Sequence, residues 1–487
     1  MKKKTFYLFS ILLLLINLVY RFIDQSQMIK YFPLDYANDG SSYMAQLFFM
    51  DVCGFHNFCP YWYNGFESFL FTPPGWFFFG LIIYKLVGSI TLATYFSLVI
   101  SFVSAFLIIY FLYGKLGLTK LQRVLMFFLL FGSAQAVGSF IRLVRVHELF
   151  AWVWFLLFAF IVLWYKDHKF DLNFFWIIIP YGMILLSYQS VAVFSTIFLL
   201  GLFLVKDWSE RIKIIFAGLL TALWTSFWWF DYIFRSSEGS LLELQQAKWL
   251  WNFSYDFLVT NIISFIIPLI LIVIFYFYFK QERENFLFFS PILLLVILFF
   301  LRIVGFIPIL REIFPDPYLF FFSFFIVYLF LRLDLKKIPF GKFIPFLLCL
   351  IVFFVVLVSL FYTPLFIVPN DPIIKDALDL ASYANDGLFL LGNFERVFYS
   401  NAFLSYIPIE YNLTTPYGWY PEYIPLRKKE KFQFLLDKFQ EGDCNGILEL
   451  LHELEIKETL VYKCEFVERC GLEIKKRGVY SCLVLTP

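Results

Sequence analysis

The sequence predicts a polytopic α-helical membrane protein with a small α/β domain at its C-terminal end. Three observations predict it. Of the 487 residues, 61% are hydrophobic and 23% aromatic, against about 45–50% apolar in a soluble domain. Apolar runs of about 20 residues recur along the chain, the length at which a helix crosses the hydrocarbon core with every backbone group bonded internally. After Pro369 these runs stop, and charged stretches alternate with short apolar strands.

Basic loops order the elements. Lys2, Lys3 and Lys4 place the N-terminus on the cytoplasmic side by the positive-inside rule. The first apolar segment lacks a small-residue cleavage site and reads as a retained helix. It delivers residues 24–88 to the outer side as a first outer loop. Basic stretches at 115–123, 166–169, 206–213, 280–284 and 332–342 all fall inside if the segment after Pro73-Pro74 does not cross. About eleven spans are then expected, at 6–23, 89–113, 124–141, 149–165, 174–189, 191–205, 213–231, 257–279, 286–304, 318–332 and 343–366. Pro74–Val87 is expected to lie along the outer face. Residues 1–369 form the membrane domain, and the odd count puts residues 370–487 outside.

The C-terminal domain reads as strands at Leu388–Leu391, Thr459–Tyr462 and Gly478–Leu485, with helices at Lys428–Phe439 and Ile447–Leu454. Of seven cysteines, Cys349 lies in a span, Cys53 and Cys59 in the first loop, and Cys444, Cys464, Cys470 and Cys482 in the tail. Even numbers in each region, with no tight Cys-x-x-Cys pair, favour disulfides in an oxidising compartment over metal binding. Cys53 is expected to pair with Cys59, while the pairing within the tail is left open. Two Asn-x-Ser/Thr sequons, at Asn252 and Asn412, also fall outside and carry little weight, because such triplets arise by chance. No soluble segment interleaves basic residues with stacking aromatics, so no nucleic-acid partner is expected.

Charged residues gather at the expected outer ends of helices. Asp35, Asp39 and Glu67 lie in the first loop; Arg142, Arg145, His147 and Glu148 between the third and fourth spans. Asp231 and Arg235 follow a Phe-Trp-Trp-Phe run, and Arg302, Arg311, Glu312 and Asp316 follow the ninth span. A carboxylate can serve as general base on an acceptor or hold a divalent cation against a diphosphate. Arginine suits phosphate because its planar fork donates two parallel hydrogen bonds. Taken singly, each has an ordinary explanation. Asn38-Asp39-Gly40 is a turn signature, Arg142 and Arg145 can snorkel to head groups, and the tryptophans can form an interfacial belt. The combination points to chemistry.

The order of three motifs resembles the GT-C glycosyltransferase superfamily. They are Asp39-x-x-x-Tyr43, Trp62-Tyr63-Asn64-Gly65 and Phe71-Thr72-Pro73-Pro74. The stretch from Arg145 through Glu148 to Ala151 is similar to a motif of a less-characterised prokaryotic branch related to dolichyl-phosphate-mannose mannosyltransferases. The resemblance covers roughly the helical part at the level of pattern. It implies a multi-pass enzyme of a prokaryotic plasma membrane that takes sugar from a polyprenyl-phosphate-linked donor on the outer face. The acceptor is a glycan, lipid or protein, and membrane lipid surrounds the enzyme. By the resemblance Asp39 takes the catalytic acidic position, with Asp35 as the alternative acid. Arg142, Arg145, Glu148, Arg235, Arg311, Tyr43 and Trp62 are the candidates for donor-phosphate or acceptor contacts. The reaction would invert the sugar, with Asp39 deprotonating or orienting the acceptor hydroxyl and Arg145 and Arg311 stabilising the departing phosphate. Cofactor and metal dependence are left open: a divalent cation is compatible with the sequence and not required by it. The tail holds no Trp-Trp-Asp motif, which argues against en bloc N-glycan transfer. Two other classes stand as alternatives, a lipid or sugar transporter or flippase, and a non-catalytic assembly protein whose tail binds a partner. The first is disfavoured because no polar residues run through mid-span positions.

Overall fold

The structure, a computed structural model, describes residues 3–30, 39–235, 250, 255–362, 372–385, 387–391, 407–415, 418 and 426–486. In chain order, helix α1 (Lys3–Gln25) precedes α2 (Gly40–Val52), a two-stranded hairpin β1 (Phe58–Cys59) and β2 (Phe66–Glu67), and α3 (Gly75–Val87). Next come α4 (Ile90–Leu112), α5 (Lys120–Phe131), α6 (Ala134–Arg142), α7 (Val146–Lys166), α8 (Ile178–Leu185), α9 (Gln189–Val205) and α10 (Trp208–Arg235). They are followed by α11 (Tyr255–Gln281), α12 (Phe286–Phe300), α13 (Pro315–Arg332) and α14 (Ile344–Tyr362). The tail holds α15 (Pro372–Ala381), β3 (Leu388–Leu391), α16 (Ile407–Tyr411), α17 (Leu426–Glu441), α18 (Cys444–Glu453), β4 (Glu458–Tyr462), α19 (Cys464–Arg469), β5 (Glu473–Arg477) and β6 (Ser481–Leu485).

Among the described residues, eight helices are long and apolar enough to cross a membrane, or nine if one bent pair is a single span. The chain is thus a multi-pass membrane protein. The bent pair is α5 and α6, which fall within the expected continuous span at 124–141 and meet at 47°. Gly132 ends the first, and the hydroxyl of Ser133 accepts the Ala136 N–H to start the second. Small and side-chain-bonding residues at this point release the backbone from the ladder. The segments expected to span at 174–189 and 191–205 are shorter apolar helices, Leu172–Leu185 and Gln189–Val205. The first of these opens as a 3-10 turn, with the Asp171 carboxylate accepting the Asn173 N–H.

The chain divides into two compact units. The first comprises 1–25, 97–227 and 243–364. Its core is built on α7 and α13, with 83% and 72% of their apolar windows buried, against 28–44% for the other six spanning helices. Phenylalanine does most of the filling. Trp152 lies 4.7 Å from Phe320, Phe155 5.2 Å from Phe324, and Phe198 5.0 Å from Phe325. Such tilted and edge-on pairs contribute beyond their buried area. Gly201 lets α9 close on α12, since a Cβ there would stand 2.1 Å from the Phe288 carbonyl oxygen.

The second unit comprises 26–96, 228–242 and 365–487, so the first loop and the tail belong together. In the tail, among the described residues, four strands run in the order β3-β4-β6-β5, with β3 parallel to β4 and the other pairs antiparallel. The β5 strand, Glu-Ile-Lys-Lys-Arg, is a charged edge of the kind that blocks further pairing. Cys444 is bridged to Cys470 and Cys464 to Cys482. In the loop, Cys53 at the end of α2 is bridged to Cys59 in β1. Helix α3 follows Pro73-Pro74 and ends on Gly88, whose φ of 71° makes a left-handed cap. At 13 residues it is about 20 Å long, too short for a core of about 30 Å. Lys85 on α3 pairs with Asp51 on α2.

The loop and the tail are stitched by backbone. The Thr415 N–H donates to the Tyr61 carbonyl at 2.7 Å, and the Asn64 N–H to the Thr415 carbonyl at 3.2 Å. The Tyr61 hydroxyl donates to Asn412 Oδ1 at 2.8 Å. Gly418 rests on Trp62 and Tyr63, where a Cβ would fall 2.7–2.8 Å from both rings.

Candidate functional site

Within the second unit, Asp39 stands immediately before the first turn of α2. Its backbone carbonyl accepts the N–H groups of Ser42 and Tyr43 at 3.1 and 3.4 Å. Its carboxylate makes no capping hydrogen bond to the helix. A negative side chain in this place favours the helix through the macrodipole. Tyr43, one turn on, is buried, its ring 6.4 Å from that of Trp76. Trp62 is buried as well, packed at 4.8 Å on Phe49. Tyr63, Asn64 and Gly65 have φ of 57°, 51° and 103°, which explains why an Asn-Gly pair closes this turn. The run therefore forms the floor under Thr415 and Gly418. The end of α10 joins the same unit: Trp228 Nε1 donates to the Phe69 carbonyl at 3.2 Å, and His56 Nδ1 lies 3.2 Å from the Asp231 carboxylate. Arg235 closes α10. Its side chain, and all of Asp35, lie outside the described residues.

Within the first unit, Arg145 precedes α7 and Glu148 sits in its first turn. Arg145 NH1 lies 3.4 Å from Asp316 Oδ2 and 4.0 Å from Glu148 Oε2. The sequence therefore brings two loops together through one guanidinium. Trp152 Nε1 donates to Glu148 Oε1 at 3.2 Å, and Gln135 Nε2 donates to the Asp316 carbonyl at 2.9 Å. Glu148 is thus held within α7, and the Asp316 backbone is held from α6. His147 is packed edge-on to Tyr188 at 5.1 Å. Arg142 ends a π-helical turn, half-buried, and Arg311 lies 4.0 Å from Glu312.

Arg302, one of the charged residues beyond the ninth expected span, is buried in a way the sequence did not reveal. It is 3% exposed, sits at φ 64° just beyond α12, and stacks 3.9 Å over the Phe265 ring. NH2 donates to Ser264 Oγ at 2.8 Å. Among the described residues, Nε and NH1 have no hydrogen-bond partner and no carboxylate pairs with the group. Burial pulls its pKa down to about 10, so it remains a cation at neutral pH. Its charge in an apolar run was visible; its burial was not.

No family model matches the chain, and no curated protein does. Solved structures do. A structure of the archaeal oligosaccharyltransferase AglB from Archaeoglobus fulgidus, in complex with an inhibitory peptide and a dolichol-phosphate, matches with a TM-score of 0.54 at 12% identity. The match covers 93% of this chain and 70% of that one. A second structure of that organism's oligosaccharyltransferase, in complex with Zn and sulfate, gives a TM-score of 0.53 at 12% identity over 92% and 68% of the two chains. A third, tethered to an acceptor peptide containing the NVT sequon, gives 0.52 at 11% over 93% and 70%.

The chain shares the fold of these oligosaccharyltransferase structures. At this identity the shared property is the path of the backbone, and each side chain has to be judged on its own chemistry. One such judgement concerns metal, since one of the matched structures holds zinc. Among the described residues, no three His, Cys, Asp or Glu side chains come together as a ligand set. The two carboxylates that do converge, Glu148 and Asp316, already share Arg145. The described residues therefore do not fit a divalent ion at this place.

Proposed function

We propose that the chain is an inverting glycosyltransferase that moves one sugar from a polyprenyl-phosphate-linked donor to an acceptor on the outer membrane face. The observation that carries this reading is the fold shared with membrane oligosaccharyltransferase structures, together with an acidic residue, Asp39, placed immediately before the first helix of the first loop. In this reading Asp39 takes the proton of the acceptor hydroxyl while its oxygen bonds to the anomeric carbon. The bond from that carbon to the phosphate oxygen breaks, and the phosphate leaves with the electron pair. Arg145, Arg302 and Arg311 compensate the charge that develops, as fixed donors do best where charge appears. Arg142, Glu148 and Arg235 complete the contacts to donor and acceptor, and Tyr43 and Trp62 hold α2 in place. The absence of a Trp-Trp-Asp motif in the tail favours single-sugar transfer over transfer of a whole glycan.

Reconstituted protein supplied with radiolabelled polyprenyl-phosphate sugars tests this reading. Release of polyprenyl phosphate coupled to a labelled product is the expected result. Donor binding followed by unchanged passage to the opposite leaflet would replace the transferase with a flippase.

A further inference from the structure

Glu148 and Asp316 reach the same guanidinium from helices whose first turns are far apart in sequence. Glu148 is 1% exposed, and an ionised carboxylate so placed requires a counter-charge nearby. Carboxylate oxygens converging from separate elements at a phosphate-handling site are the usual setting for a hard divalent cation. Here the setting contains a side chain.

We propose that Arg145 is a built-in cation: its guanidinium stands where a divalent metal would otherwise bridge Glu148 and Asp316, and the chain handles a phosphate-linked donor without a bound metal at this place. The proposal rests on the transferase reading for what the cation acts upon, while its test is separable from that reading.

Three features support it. The backbone that carries the guanidinium is fixed, because the Arg145 N–H donates to the Ser139 carbonyl at 3.2 Å and its carbonyl accepts the Leu149 N–H at 3.0 Å. The Glu148 carboxylate is held by Trp152, and the Asp316 backbone by Gln135, each independently of Arg145. Arginine also keeps its charge at any accessible pH and needs no loading from solution. The exchange has a definite signature. Removing the guanidinium leaves two carboxylates facing one vacated volume, which is a nascent oxygen site for Mn²⁺ or Mg²⁺.

The experiment uses full-length detergent-solubilised protein stripped with EDTA. Mn²⁺ binding is followed by electron paramagnetic resonance and by the shift of melting temperature. The parent and Arg145→Lys are expected to take up no stoichiometric Mn²⁺. Arg145→Gln is expected to bind about one equivalent through oxygen ligands and to melt higher with it. Adding Glu148→Gln and Asp316→Asn to Arg145→Gln should abolish that binding. Transfer by the parent should be unchanged by EDTA, and transfer by Arg145→Gln should fall and be partly restored by Mn²⁺. Stoichiometric Mn²⁺ on the parent, lost in Glu148→Gln, overturns the proposal, and that measurement stands even where Arg145→Gln does not fold. A folded Arg145→Gln that binds no Mn²⁺ overturns it equally. If the parent transfers no sugar from any donor, the transferase reading falls, and the Mn²⁺ result still decides the role of Arg145.

Discussion

Two side chains carry sharply different expectations. Asp39→Asn keeps the shape and hydrogen-bonding capacity of the side chain at the start of α2 and removes its ability to take a proton. General base catalysis supplies about 10²–10⁴-fold, so turnover should fall by that order while expression and melting temperature stay within error. Asp35→Asn is the internal control: full loss there with retention in Asp39→Asn would move the base to Asp35. Arg302→Met tests a buried cation instead. Replacing a buried, unpaired charge by an apolar side chain of similar length is often neutral or stabilising, and Met packs readily against Phe265 and Phe299. The melting temperature should hold or rise while transfer drops about 10- to 100-fold, the worth of one charge-assisted hydrogen bond to phosphate. A variant both less stable and fully active would make Arg302 a purely structural residue. At this scale the sequence was partly legible. Asp39 stood out because a carboxylate interrupts an apolar chain. Arg302 was visible as a charge but not as a buried one, because its aromatic neighbour Phe265 belongs to a different helix. The tail cysteines likewise gave their number but not their pairing, since bridges between Cys444 and Cys470 and between Cys464 and Cys482 are set by how α18, α19 and β6 pack.

Helices were read well where length and apolar content were unambiguous and poorly where one residue decides. The lone pair Gly132-Ser133 breaks a run that hydropathy alone makes continuous. Strand β5 went unrecognised because its Lys and Arg residues obscure the alternation that identifies a half-buried strand. Its neighbour β6 was found, being apolar on both faces. Packing between helices makes its own prediction. Gly201→Ala places a methyl group against the Phe288 carbonyl at a distance no relaxed structure allows, and α9 and α12 must part. Overpacking of this kind costs about 1–3 kcal/mol, to be read as a lower melting temperature in detergent. Gly218→Ala, where an added Cβ meets nothing within 4 Å, should melt at least as high as the parent. Equal melting of the two variants would show that the α9–α12 contact is looser than the backbone indicates.

For the whole molecule, the tail and the first loop are expected to share one side of the membrane, and they fall in one compact unit. Added protease on intact cells should cut within residues 370–487, and a membrane-impermeant thiol reagent should label the tail cysteines only after reduction. Cleavage that requires lysis would invert the topology and remove the outer-face reading of the site. The division of the chain into an apolar body and a charged tail was plain from composition. The grouping of residues 26–96 with the tail was not, because nothing local announces a contact between Tyr61 and Thr415.

That contact sets a timetable for synthesis. Tyr61 and its partner Thr415 are 354 residues apart. At about 5–20 residues per second, the loop therefore waits on the order of 20 to 70 s for its partner to be made. During that interval Trp62 and Tyr63 lack Gly418 above them, and the loop is an apolar surface without its cover. A ribosome stalled before the tail emerges would leave a product with its membrane helices inserted and an adhesive patch at the surface, a natural substrate for quality-control proteases.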